Sequence, residues 1–313
     1  MIGRRALMGG LAAGVTTPFV MRKAVAESTK LPLIAVAEGV FSFSGVDALM
    51  TETNQGAICN LGVIIGEDAV AVVDSGGSLV EAQAFIAAIK TLTPKPIKFA
   101  INTHMHPDHV FGNAAFRDAG AKIVGHHNLP RGLSDRQDFY LKRFRDLMGD
   151  NVMTGVEIVA PSVLVDDHLT LDLGQRQLEL RAWKPAHTDN DLTVYDTKSR
   201  TLFAGDLVFT RHVPTLDGSL LGWMRQLDEL AAIPAERIVP GHGPVSSQWP
   251  QALDGERIYF DTLAKDLRKS IADGQGIGEA VKTAAQSERG KWELFDEYNE
   301  RNATTAFAEL EWE

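Results

Sequence analysis

The segment Thr103-His104-Met105-His106-Pro107-Asp108-His109 packs three imidazoles and a carboxylate into six residues, directly after the apolar run Ile97 to Ile101. In an extended or loop backbone His104 and His106 project to the same side, and Asp108 with His109 can turn to face a second point a few ångströms away. One segment could therefore feed two metal ions. Imidazole and carboxylate without a nearby thiolate suit Zn²⁺ or another borderline divalent ion, and argue against an iron–sulfur cluster or a thiolate-bound structural zinc. The chain has nine histidines in 313 residues, so a cluster this dense is not the pattern of a chance polar loop. The spacing also differs from the helical His-Glu-x-x-His of zinc proteases, because these ligands lie on a strand-to-helix loop.

Such ligands need strands behind them. Short apolar runs with β-branched content recur at Ile34 to Phe43, Ala57 to Ile65, Ala69 to Asp74, Ile97 to Ile101 and Lys122 to Gly125, interleaved with helical stretches near Ser78 to Leu92 and Pro107 to Ala119. A second set follows at Val163 to Val165, Leu169 to Leu171, Gln177 to Trp183, Leu192 to Asp196, Thr201 to Ala204 and Arg237 to Val239. Two strand-rich halves around one centre suit an α/β chain built as an αββα sandwich, with sites where strands end. Between the halves, Asn128 to Val152 reads as one or two helices of mixed charge that carry Phe139, Tyr140 and Phe144, and that either roof the site or pack on a sheet edge. From Gln251 to about Ala272 the spacing is helical, with a break at Gly274 to Gly278 and a further helix beyond. In that tail Trp292, Phe295, Tyr298 and Phe307 recur at near-helical intervals and read as core or interface. The organisation expected is a catalytic domain over 27–250 with a helical insertion at about 128–152, and a helical extension over 251–313 packed on the same domain.

A strand, then His-x-His-x-Asp-His, then a helix resembles the second signature of the metallo-β-lactamase fold superfamily. The remaining signatures occur in the family's order: Asp74 closing an apolar strand, His187 in Pro185-Ala186-His187-Thr188, Asp206 in Ala204-Gly205-Asp206, and His242 in Pro240-Gly241-His242-Gly243. The likeness spans roughly residues 33 to 250 and implies a four-layer αββα sandwich. It implies further that His104, His106 and His187 hold one metal, that Asp108, His109 and His242 hold a second, and that Asp206 bridges them. Asp108 and Asp74 are the carboxylates expected to serve catalysis, Asp74 by fixing the ligand loop and an imidazole without touching metal. A cysteine at the bridging position would indicate the zinc β-lactamases that use a thiolate, but the sole cysteine, Cys59, lies on an early apolar strand and reads as a small buried hydrophobe. The di-iron oxygen reductases of this fold place Glu where this chain keeps His106.

The segment after Asp206 runs Leu207-Val208-Phe209-Thr210-Arg211-His212. A loop that leaves a bridging ligand lies near the substrate, which makes Arg211 and His212 candidate substrate contacts, and Arg211 would suit a carboxylated substrate. His126, His127 and His168 lack partners at ligand spacing and read as structural or exposed.

Residues 1–26 read as an export signal: Arg4-Arg5, a modestly apolar stretch from Ala6 to Val20, then Arg22-Lys23 and the small-residue site Ala24-Val25-Ala26. Paired arginines and weak hydrophobicity resemble a twin-arginine signal, which predicts a bacterial periplasmic protein exported folded, with no stable membrane insertion after the signal is removed. Removal takes four basic residues and no acidic ones, moving the net charge from −10 to −14. Nothing forms the basic stripe that a nucleic acid demands. One cysteine makes no internal disulfide.

The resemblance implies a hydrolase with two Zn²⁺ per chain acting on a small ester, thioester, lactone or amide through a shared hydroxide whose pKa is drawn toward neutrality. The absence of a Gly-x-Ser-x-Gly elbow and of a Cys–His pair agrees with a water nucleophile. The alternatives are a mononuclear Fe²⁺ enzyme of the persulfide dioxygenase type, and a metal-binding accessory protein. For the latter the export signal and the Gly-Asp-Leu-Val-Phe-Thr-Arg-His segment are similar to zinc metallohydrolases associated with periplasmic quinoprotein dehydrogenase and sulfur-oxidation systems.

Overall fold

Strands form here where β-branched and aromatic residues alternate between two buried faces. The computed structural model describes residues 31–313, and the expected export signal at 1–26 lies outside the described residues. In the first half β1 (Ile34–Ala37), β2 (Val40–Phe43), β3 (Leu61–Ile65), β4 (Val70–Val73), β5 (Ile97–Ile101), β6 (Lys122–His126) and β7 (Val163–Val165) form a seven-stranded sheet in chain order. Pairing is antiparallel from β1 to β4 and parallel from β4 to β7. The parallel crossovers carry α1 (Leu79–Leu92), α2 (Pro107–Val110), α3 (Asn113–Asp118) and α4 (Leu129–Met153). In the second half β8 (His168–Asp172), β9 (Gln177–Ala182), β10 (Leu192–Asp196), β11 (Thr201–Phe209) and β12 (Arg237–His242) form a five-stranded sheet of order β12-β11-β10-β9-β8. Helix α5 (Leu220–Ala231) joins β11 to β12, and α6 (Asp254–Ala272), α7 (Ile277–Thr283) and α8 (Phe295–Leu310) follow.

The alternation assigns each strand residue to a layer. Ala71, Val73, Phe99 and Ile101 of the first sheet meet Leu178, Leu180, Val194 and Phe203 of the second in the core between the sheets. Their neighbours Val70, Val72 and Ala100 face outward against Phe85 and Ile89 of α1 and Phe116 of α3. Leu202, Ala204 and Ile238 face outward on the other side against Trp223, Phe260 and Phe307 of α5, α6 and α8. Sheets buried on both faces explain the continuous apolar runs, and the result is a four-layer αββα sandwich. No helix among the described residues is long and apolar enough to cross a membrane.

Several boundaries differ from the sequence expectation for local reasons. The run from Ile34 to Phe43 is two strands, because Gly39 turns the chain at φ 68. The strand expected from Ala57 begins only at Leu61, after a string of turns. The helix expected from Pro107 to Ala119 is two short ones, α2 and α3, separated around Gly112. Beyond Ala204 the strand continues to Phe209, so Asp206 lies within β11 rather than after it.

One buried guanidinium ties the two sheets together. Arg176, at the entry to β9, donates to both oxygens of Asp196 at 2.9 and 2.6 Å, and to the carbonyls of Ile65 and Glu38 at 3.0 Å each. Both members of the ion pair are buried. Removing the cation leaves a buried carboxylate and two carbonyls uncompensated, so Arg176→Met is expected to cost about 3–5 kcal/mol in urea unfolding. A loss below about 1 kcal/mol would show that water replaces the clip.

Candidate metal centre

Two loops, the first turn of a helix, one strand interior and one strand end deliver the candidate ligands to one place. His104 and His106 follow β5, and Pro107 starts α2, whose first turn carries Asp108 and His109. His187 lies in the β9–β10 connection, Asp206 in β11, and His242 is the last residue of β12. In the first group His187 Nε2 is 3.0 Å from His106 Nδ1, and Asp206 Oδ2 lies 3.7 Å from His104 Nε2 and 3.5 Å from His187 Nε2. In the second, Asp108 Oδ2 is 3.3 Å from His109 Nε2 and 3.2 Å from His242 Nε2. Asp206 joins that group too, with Oδ1 3.2 Å from His109 Nε2 and Oδ2 3.5 Å from His242 Nε2.

The far nitrogen of every ring is held. His109 Nδ1 meets Asp74 Oδ2 at 2.8 Å, His106 Nε2 meets Asp217 Oδ2 at 3.1 Å, and His187 Nδ1 donates to the Thr215 carbonyl at 2.6 Å. His242 Nδ1 donates to the Ile58 carbonyl at 3.0 Å, and His104 Nδ1 lies 3.1 Å from Thr103 Oγ1. A proton fixed on the outer nitrogen leaves the inner lone pair free to bind a cation. Asp74 also accepts from the Thr103 amide and hydroxyl, both at 2.8 Å, so one carboxylate fixes both the ligand loop and a ring. Its backbone sits at φ 61, a left-handed conformation that aspartate adopts more readily than most residues. Ser78 caps α1, its hydroxyl accepting from the Glu81 amide at 3.2 Å.

The inner atoms test whether a cation fits. His104 Nε2, His109 Nε2 and Asp206 Oδ1 are buried and lack any hydrogen-bond partner among the described residues. His109 Nε2 lies 3.2 Å from Asp206 Oδ1. Orphaned buried polar atoms are costly, and divalent cations held by the two donor groups would satisfy them. The electrostatics agree. Burial pushes His104 well below the ordinary imidazole range and His187 down to about 3, which keeps both neutral. Burial opposes ionisation of Asp206 and Asp108, but the surrounding imidazoles outweigh it and hold both carboxyls well below the usual range. His242 is drawn up to about 9 against its burial by Asp206 and Asp108. The site demands positive charge, and nitrogen and oxygen donors of this kind suit a borderline divalent ion.

Glycines permit the approach. A Cβ on Gly241 would stand 1.9 Å from Asp206 Oδ1, and one on Gly205, at φ 54, would stand 2.5 Å from Thr103 Cβ. Cys59, expected only as a buried hydrophobe, lies behind the second group with Sγ 2.9 Å from the Asp108 carbonyl. Burial pushes its thiol well up, so it stays protonated and donates.

A cavity of about 310 Å³ opens on His106, Asp108, Asp206 and His242. His212 joins its wall, buried and stacked on Tyr298 with 5.8 Å between ring centroids. Arg211 does not. Its side chain, expected to contact substrate, is exposed outside the cavity lining and pairs with Asp47 at 3.1 Å. His126 is buried between Asn128 and Trp183, bonding both, and His168 is exposed. Three cavity residues carry no local sequence signal. Asp217 orients His106, Arg136 of α4 clamps Asp217, and Tyr298 of α8 closes the wall.

A sequence model of the metallo-beta-lactamase superfamily matches residues 55–242, which contain all seven candidate ligands. The chain belongs to that superfamily. Among superfamily relatives, a "Beta-lactamase-like protein 2 homolog" of Caenorhabditis elegans is 28% identical over 190 residues, 60% of this chain and 56% of that protein. A "Linear primary-alkylsulfatase" of Pseudomonas sp. (strain ATCC 19151) is 24% identical over 236 residues, 64% of this chain and 44% of that one. The chain thus spans about half the length of the curated relatives it matches. Among solved structures, a metallo-beta-lactamase from Pontibacter korlensis aligns with TM-score 0.61 at 20% identity, covering 74% of this chain and 99% of that one. The sec-alkyl sulfatase PisA1, as a double mutant, aligns with TM-score 0.62 at 16% identity, covering 80% of this chain and 44% of that one. At these identities the structural likeness shows the superfamily's fold.

Because Asp74 fixes His109 and the ligand loop together, Asp74→Ala is expected to weaken divalent metal affinity by about 10–100-fold in a chelator competition. Wild-type affinity in a folded Asp74→Ala protein would show that the loop holds its own shape.

Proposed function

We propose that this chain is a dinuclear zinc hydrolase that acts on a small ester, thioester, lactone or amide. The observation that carries the reading is the completeness of two donor groups sharing one carboxylate: His104, His106 and His187 on one side, Asp108, His109 and His242 on the other, and Asp206 within reach of both. Those residues would hold the two ions, which when bound supply a water ionised near neutrality and polarise the substrate oxygen. The buried groups fix that arrangement in advance, so little reorganisation accompanies the reaction. Asp108 lines the cavity as an ionised carboxylate and can accept a hydrogen bond from water there. His212, pushed down to about 3 by burial, is neutral, and its Nδ1 donates to the Val213 carbonyl, which leaves Nε2 as an acceptor. No serine or cysteine nucleophile is needed. Sulfate esters form a second group of candidate substrates, prompted by the alkylsulfatase relative.

We further place the chain in the bacterial periplasm, reached through residues 1–26, where N-terminal sequencing of the native protein would find a start at Glu27. A periplasmic quinoprotein dehydrogenase remains the partner proposed for the pathway.

Elemental analysis of the natively exported protein should find about two zinc ions per chain, with a screen of esters, thioesters, lactones and amides showing turnover. Asp206→Ala should lose metal and turnover together. A single iron with oxygen uptake on thiol persulfides, or full zinc without turnover on any of these substrates, would contradict the reading.

A further inference from the structure

The outer part of the cavity is built for more than a neutral ester. Helix α4 turns one face to it, on which Arg136, Phe139, Tyr140, Arg143, Phe144 and Leu147 recur every three or four residues, the spacing that aligns side chains along one side of a helix. Arg136, the inner cation, is committed: it pairs with Asp217, which in turn holds His106. Arg143 follows two turns later, roughly 10 Å further along the helix at 1.5 Å per residue, and forms no ion pair among the described residues. A second cation comes from α8, where Arg301 is 61% exposed and makes only a long ion pair with Asp217, at 4.0 Å.

The carboxylates of this cavity are all engaged, Asp108 and Asp206 in the donor groups and Asp217 with His106 and Arg136. With Arg143 unpaired among the described residues and Arg301 only loosely paired, the charge available in the lining is positive, on a chain whose net charge is −10. Beside these cations the wall is apolar and uncovered: Phe139, Leu49 and Leu147 are 64%, 45% and 41% exposed. Apolar side chains exposed together at a cavity mouth mark a surface that a ligand covers.

We propose that the substrate is an anionic amphiphile: an apolar body carrying the bond to be hydrolysed, and a carboxylate or similar anion remote from that bond, held by Arg143 and Arg301. This rests on the hydrolytic reading above. Water adds across the acyl bond, the acid and the alcohol, thiol or amine depart, and the remote anion is unchanged. A guanidinium fork matches a carboxylate in two parallel hydrogen bonds, and the helix spacing sets the anion beyond the reacting atoms. Arg301 and Tyr298 lie outside the superfamily match at 55–242, so this wall belongs to the chain's own C-terminal extension.

The test compares two 4-nitrophenyl esters of suberic acid, one with the far carboxyl free and one with it methylated, on the zinc-loaded full chain. The expected result is a kcat/KM about tenfold higher for the free acid, expressed in KM and reduced by added salt. Arg143→Gln with Arg301→Gln should abolish that preference and should weaken decanoate binding, measured by calorimetry, about tenfold. Equal kcat/KM for the two esters would overturn the inference and leave the hydrolytic reading standing. Turnover of neither ester nor of any other substrate screened would overturn the hydrolytic reading, and decanoate binding that is insensitive to the arginine substitutions would then overturn the anion site as well.

Discussion

The fold is organised around buried donors that the chain cannot satisfy by itself. Asp206 is 4% exposed among His104, His109, His187 and His242, and its Oδ1 makes no hydrogen bond. An arrangement of this kind is unfavourable unless a cation completes it, since each buried polar atom without a partner costs about 1–3 kcal/mol. The surrounding structure supplies that energy from two directions. Apolar layers on both faces of both sheets hold the strands, and outer partners such as Asp74, Asp217 and the Thr215 and Ile58 carbonyls hold each ring against its own torsional freedom. Metal affinity and fold stability are thereby coupled, because the strands that present the donors are the strands that make the core.

The two sheets contribute unequally. The first provides a contiguous segment, with β5 ending in a loop whose Pro107 starts α2 and turns Asp108 and His109 back toward the cluster. From the second sheet come single residues, His187 from the β9–β10 connection and Asp206 and His242 from the adjacent strands β11 and β12, where Gly241 leaves room for Asp206 and Gly205 for Thr103 of the ligand loop. The helices outside this frame shape what can enter. Helix α4 lines the cavity, and α8 brings Tyr298 and Arg301 to its wall.

Much of this was legible in the sequence because the ligands are marked by position as well as by type. His104, His106, Asp108 and His109 stand out by type and spacing after the apolar run Ile97 to Ile101, whereas His187, Asp206 and His242 become legible only through the resemblance to the superfamily's later signatures. The two sets of apolar, β-branched runs likewise made the two strand-rich halves legible. Chain reversals were less legible: a single glycine at φ 68 split one expected strand, and a glycine bulge let β11 run on past Asp206. Least legible were the residues whose role depends on distant partners. Asp217 acts through His106 and Arg136, 111 and 81 residues away, and no spacing rule links them. Tyr298 lies on a helix whose aromatic period reads as core, which is true of Phe295 and Phe307, while Tyr298 itself turns toward the cavity. Arg211 shows the converse, since adjacency to a ligand in sequence did not survive the turn that brings it to Asp47.

The most direct test of the central claim is a crystal structure of the zinc-loaded chain with anomalous data collected at the zinc edge. Two peaks about 3.5–4 Å apart, one among His104, His106 and His187, the other among Asp108, His109 and His242, with Asp206 between them, are what the paired donor groups predict. A single peak, or a second metal placed away from Asp108, His109 and His242, would contradict them.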